Sequence, residues 1–175
     1  MKGGSLPPFS RRAIRENSRR GTATHSCGRR PPPATMRRMS ELRMTIGDTC
    51  FRARLETTTA PQTVAAITAI LPFSNKLIHV RWSGESCWVP LGDFRLGLEY
   101  EDHTSYPAPG QILIYPGGIS ECEILVPYGS CAFASKVGML AGNHFATILG
   151  DLDALAAIGR DTLWSGAKDI RIEMA

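Results

Sequence analysis

The sequence predicts a mainly β domain in which about eight strands close, or nearly close, into a barrel with two short helices capping its ends. Three observations predict it. Short runs of alternating apolar and polar residues recur from Thr49 onward, Gly- and Pro-rich turn clusters separate them, and only two segments carry a helical period. With strands so much more numerous than helices, closure is favoured because it leaves no exposed strand edges.

Phe51, Ala53 and Leu55 alternate with Arg52, Arg54 and Glu56, the pattern of a half-buried strand. Thr59-Ala60-Pro61-Gln62 then reads as a capping box, with Pro61 tolerated because first-turn amides have no partner inside the helix. Val64, Ile67, Thr68 and Leu71 share one helical face, and Pro72 ends the helix. Ile78, Val80 and Trp82 alternate with Leu77, His79 and Arg81, and Ser83-Gly84-Glu85 turns the chain into Ser86–Pro90 as a hairpin. Leu91–Pro109 is irregular and long, the kind of connection that tends to carry function. Further strands are predicted at Gln111–Tyr115, Glu121–Val126, Cys131–Val137 and His144–Leu149, with turns at Pro116-Gly117-Gly118 and Pro127-Tyr128-Gly129-Ser130. Asp151 is placed to cap a short helix that buries Leu152, Leu155 and Ile158 and stops at Gly159. Ile170, Ile172 and Met174 alternate as a terminal strand, expected to pair with the first.

The 175 residues divide into two unlike parts. Residues 1–43 hold eleven Lys/Arg, including four Arg-Arg pairs, against two acidic residues, whereas residues 44–175 hold nine against fourteen. So little apolar surface in the first part cannot offset backbone entropy of roughly 1–2 kcal/mol per residue, so it reads as a disordered basic leader. A nucleic-acid-binding arm, a targeting peptide, and either an over-extended start upstream of Met36, Met39 or Met44 or a dispensable tail are the readings of that leader. The last two are preferred, because no aromatic residues interleave the arginines for base stacking and no apolar run follows the early pairs. Residues 44–175 are taken as the barrel domain. The longest apolar stretch, Val64–Phe73, is too short for the ~20 residues of a membrane helix. Five cysteines with no C-x-x-C pair favour reduced thiols and a cytoplasmic protein, with Cys131 read as a small hydrophobe.

Several motifs together carry a resemblance. Trp82-Ser83-Gly84-Glu85 leading to Trp88-Val89-Pro90, the run from His103 to Gly110, Tyr115-Pro116-Gly117-Gly118-Ile119-Ser120-Glu121, and Gly142-Asn143-His144-Phe145-Ala146 resemble a bacterial and archaeal cyclophilin-like domain family of unknown function, the DUF3830 type. The resemblance covers roughly Met44 to Ala175. It implies an eight-stranded cyclophilin-like barrel closed by helices, but no activity. The Phe-His-Arg and Gln-Gly-Gly-Asp runs of true cyclophilins are missing, which makes prolyl isomerisation a runner-up, with Arg81 and Arg95 as candidates for its arginine.

Candidate chemistry lies in a few residues. Glu121 and Glu123 are two apart on a strand and so share a face, where in a pocket each raises the other's pKa and makes an acid–base pair. His144 begins a strand near a rim and suits proton transfer. Glu121 and His144 are therefore the catalytic candidates, and His103, Thr104, Tyr106, Glu123, Tyr128 and Asn143 the substrate-binding ones, all expected around one rim pocket. His79 reads as structural. No metal is expected, because His103 and His144 fall in no H-x-H or H-E-x-x-H spacing, and neither is a nucleotide or other cofactor. The expected partner is a small polar metabolite, handled by Glu/His acid–base chemistry, or else a peptide or protein bound without catalysis. A second copy of the chain is a further possible partner; nucleic acid and membrane are not.

Overall fold

The computed structural model describes residues 40–175. The leader reading, up to position 39, lies outside the described residues. The elements are β1 (Glu41–Ile46), β2 (Thr49–Leu55), α1 (Pro61–Ala69), β3 (Phe73–Val80), β4 (Gly84–Gly92), β5 (His103–Thr104), β6 (Gln111–Tyr115), β7 (Cys122–Cys131), β8 (Ala134–Ser135), β9 (Gly138–Met139), β10 (Gly142–Leu149), α2 (Leu152–Ser165) and β11 (Lys168–Met174). No helix among the described residues is long and apolar enough to cross a membrane.

Eight antiparallel strands close on themselves in the order β2-β1-β11-β3-β4-β7-β6-β10, and β10 returns to β2. The predicted closed barrel is thus present. The C-terminal strand pairs not with the Phe51–Leu55 strand, as expected, but with a strand that precedes it, Leu42 opposite Met174 and Ile46 opposite Ile170. That strand is β1, and the sequence reading had assigned Glu41, Leu42 and Arg43 to the leader. Leu42, Met44 and Ile46 alternate inward and are almost fully buried, and Gly47-Asp48 turns β1 into β2. Each such side chain contributes roughly 1.5–3 kcal/mol by leaving water, so β1 is part of the core.

The two faces of the wall carry different clusters. Inward-facing Leu42, Met44, Phe51, Ile114, Ile124 and Ile172 belong to the barrel core, which also takes in Val64 and Ile67 of α1 and Leu155 of α2. On the outside, residues 132–141 fold back over β6 and β7, so that Phe133 and Leu140 pack with Val80, Leu113, Tyr115 and Leu125. The short β8–β9 hairpin lies within this flap. As a result β7 is buried on both faces from Cys122 to Tyr128, which explains its nearly continuous apolar run.

Three local expectations are corrected. Helix α1 has no side-chain cap from Thr59, because Glu101 of the long β4–β6 connection takes that role, its carboxylate accepting from the amides of Gln62 (3.2 Å) and Thr63 (2.8 Å) and from the Thr63 hydroxyl. Partial burial pushes the Glu101 carboxyl up, but these bonds outweigh it and hold it below the ordinary value. Helix α2 is capped by Asp151 as expected (2.9 Å to the Ala154 amide), yet it does not stop at Gly159 but runs on to Ser165 and ends at Gly166, whose φ is +92°. At Gly159 the helix instead approaches the Tyr128 ring so closely that a Cβ would overlap it. Finally, Pro127–Ser130 is not a turn. These residues continue β7 through an irregularity in its pairing with β4, where Pro127 lies opposite Ser86 and the Glu85 carboxylate accepts from the Ser130 amide at 2.8 Å.

Candidate functional site

Glu123 points out of the barrel wall, yet it is almost fully buried because the 132–141 flap roofs that part of the wall. It sits between Tyr115 on β6 and Pro90 on β4. Glu121, just before β7, lines the same cavity of about 110 Å³, together with Trp82, Trp88, Ser120, Ser135 and Lys136. Among the described residues the Glu123 carboxylate makes no ion pair and accepts no hydrogen bond. Burial first, and the neighbouring Glu121 charge second, push its pKa up to about 7. The two glutamates expected to share a face thus line one cavity. Glu123 is the group poised near neutrality, and Glu121 is the exposed one.

His144 also faces outward, in the row that pairs it with Leu113 on β6 and, beyond that, Leu125 on β7. It does not join the glutamates, because β6 lies between, putting the β7 backbone roughly 10 Å away at the usual strand spacing. Its Nε2 is 2.9 Å from the Thr147 hydroxyl, which donates to Glu56 at 2.6 Å. The Glu56 carboxylate lies 4.0 Å from His144 Nε2, and Asp102 lies 3.7 Å from Nδ1. Burial pushes the Glu56 carboxyl up, but Thr147, Arg54 and His144 together hold it below the ordinary value. This is a compact polar cluster in which a charged imidazole would find two carboxylates.

The other residues expected around one rim are spread out. Asn143 points into the barrel and is fully buried. Its Nδ2 donates to Thr63 Oγ1 (3.0 Å) and to the Glu99 carbonyl (2.8 Å), while its Oδ1 accepts from the Glu101 amide (3.0 Å). Both amide protons are committed to tying α1 and the long connection to the barrel. His103 is exposed on β5 and lies against the Tyr100 ring, 4.8 Å between centroids. Thr104 Oγ1 accepts from the Tyr106 amide, and the Tyr106 side chain is exposed to solvent. Among the described residues no group of three or more His, Cys, Asp or Glu is arranged to hold a metal ion.

Tyr128 lies elsewhere again, at the barrel end covered by α2. Its hydroxyl is 2.7 Å from His79 Nε2, and both rings line a cavity of about 340 Å³ with Arg81, Glu85, Arg160 and Trp164. The sequence reading took His79 as structural, and nothing in its strand alternation signals that α2 closes over it. Arg95, the other arginine considered for prolyl isomerisation, reaches the Gly92 and Phe94 carbonyls and packs beside Gly117. Burial pushes the thiols of Cys87 and Cys122 up to about 12 and about 11, which makes them poor nucleophiles near neutral pH.

None of the curated proteins matches this chain. Among solved structures, McbB in complex with tryptophan superposes with a TM-score of 0.58 at 16% identity, over 75% of this chain and 44% of McbB, so the chain spans less than half of that protein. A hypothetical protein from Archaeoglobus fulgidus, AF2241, known from its solution structure, superposes with a TM-score of 0.54 at 16% identity, over 78% of this chain and 95% of its own length. At these identities the likeness is one of fold. A protein family of unknown function, DUF3830, matches residues 42–174, from the buried Leu42 of β1 to the end of β11, and the chain belongs to that family.

Proposed function

We propose that the protein binds a small polar metabolite in the outer-wall pocket and that Glu123 moves a proton to or from it, in a hydrolase- or isomerase-type reaction. One observation carries the reading: a buried carboxyl without a cation partner, held near neutrality beside a second carboxylate, opens on a cavity flanked by two tryptophans. An acid–base group works best when its pKa lies near the working pH, because both protonation states are then populated. Trp82 and Trp88 supply faces for an apolar part of the ligand, and Ser120, Ser135 and Lys136 supply donors for its polar part. McbB, 44% of which superposes on this chain, is known in complex with tryptophan, which favours a small-molecule reading. We also keep the cyclophilin-like assignment of the barrel as a proposal, supported by its eight closed strands and two helices.

A thermal-shift screen of the full chain against a metabolite library tests this, because a specific ligand raises the melting temperature by mass action. The expected ligand is converted with a pH profile showing a limb near 7, and Glu123→Gln removes turnover while Glu121→Gln moves that limb down. Hits whose affinity and turnover survive the Glu121→Gln/Glu123→Gln double substitution would overturn the assignment. A second reading, a peptide or partner protein bound without catalysis, is favoured by the exposed Trp82, Ile119 and Val137 at and beside the pocket. Saturable binding of proline-containing peptides without cleavage or isomerisation would select it.

A further inference from the structure

The larger cavity, at the barrel end covered by α2, is not used by the proton-transfer reading. Its walls come from the ends of β3 and β4, from β7, and from the last turns of α2. At about 340 Å³ it has room for a ligand the size of a single substituted ring.

Its charge pattern is specific. Arg81 and Arg160 line it from different parts of the fold, one just beyond the end of β3 and one from α2. Every other described arginine is engaged: Arg43 and Arg171 with Glu173, Arg52 with Glu41, Arg54 with Glu56, and Arg95 with backbone carbonyls. Arg81 and Arg160 make no ion pair or hydrogen bond among the described residues. Two guanidiniums face one carboxylate in the wall, Glu85, which also accepts from the Ser130 amide, so the lining carries a net positive charge.

The rest of the wall is neutral and partly aromatic. His79 and Tyr128 form a hydrogen-bonded pair, and burial together with Arg81 holds the imidazole below its ordinary pKa, so it adds no charge. His79 Nδ1 is buried and has no hydrogen-bond partner, a polar atom that the protein leaves unsatisfied. At the lip, Trp164 is 82% exposed, the most exposed large apolar side chain among the described residues. An indole left so open beside two free guanidiniums offers a stacking face next to an anion clamp.

We propose that this cavity is a second ligand site, for a small organic anion carrying a planar ring, with its carboxylate or phosphate between Arg81 and Arg160 and its ring against Trp164. Guanidinium forks match both oxyanions, so the two are distinguished by experiment.

Isothermal titration of the full chain with benzoate, phenyl phosphate and the neutral benzamide tests the proposal. At least one anion is expected to bind saturably at one site, at least tenfold tighter than benzamide, with affinity falling as salt rises. The stronger anion identifies the head group. Arg81→Gln and Arg160→Gln, both at exposed positions that leave the core untouched, should each weaken it at least fivefold, and Trp164→Ala severalfold. Glu121→Gln/Glu123→Gln should leave it unchanged, which separates this site from the outer-wall pocket. The proposal is overturned if neither anion binds saturably at 10 mM (about the weakest affinity such a clamp would give), if benzamide binds equally well, or if the arginine substitutions have no effect.

Discussion

Replacing Glu123 by Gln should make the protein more stable, and only above mildly acidic pH. The carboxyl is held at about 7 in the folded chain against an ordinary value of 4.5. At about 1.4 kcal/mol per pKa unit, ionising it in place costs about 3 kcal/mol of stability. Because the folded value is raised, the folded protein holds a proton that the unfolded chain has already released between pH 4.5 and about 7. Stability is therefore lost as pH rises through this window, and the full penalty applies above it. Gln keeps the shape and removes the charge. Urea denaturation of wild type and Glu123→Gln, from pH 4 to pH 8, reads this group together with its coupling to Glu121, because titrations not coupled to Glu123 cancel in the difference. The stability advantage of the variant should grow by about 3 kcal/mol across that range. A difference that stays flat would show that the carboxyl is solvated or paired, and would remove the basis for its acid–base role. The expected trade, stability for a carboxyl poised near neutrality, is common at functional sites.

Two further predictions concern the framework that positions these pockets. Gly159→Ala gains about 1 kcal/mol of helix propensity but drives a Cβ into the Tyr128 ring, for a net loss of about 2 kcal/mol in urea denaturation and a displaced His79–Tyr128 pair; a more stable variant would contradict the close approach of α2. Asn143→Ala strands the Glu99 carbonyl and the Glu101 amide and should cost about 3 kcal/mol. Hydrogen exchange should show the Glu101 amide opening faster, and unchanged protection there would mean that the long connection is held by other contacts.

What could be read without coordinates followed a simple rule. Where a strand has one apolar face, its period of two is written in the residues, as in Phe51, Ala53 and Leu55 or Ile170 and Ile172, and both sets are buried as expected. Leu42, Met44 and Ile46 obey the same rule, but they abut the arginine-rich segment, whose composition masked them. Pro127-Tyr128-Gly129-Ser130 has turn chemistry, yet Glu85 across the sheet satisfies the irregular backbone and keeps it in a strand. The cap of α1 comes from Glu101, a residue 38 positions away from Thr63, and no local pattern announces it.

The site divides along the same line. That Glu121 and Glu123 share a face was dictated by covalent geometry, since successive side chains on a strand alternate. Whether that face met water was decided by the 132–141 flap, which buries the outer wall and turns a solvated carboxylate into one poised near neutrality. The separation of His144, Asn143 and Tyr128 from that pocket was likewise set by strand order and by the packing of α2, because which strands become neighbours depends on long-range pairing that short-range periodicity does not encode. Sequence alone determined the alternation and hence the barrel; tertiary closure determined which polar groups lost their water, and burial is what gives them their chemistry.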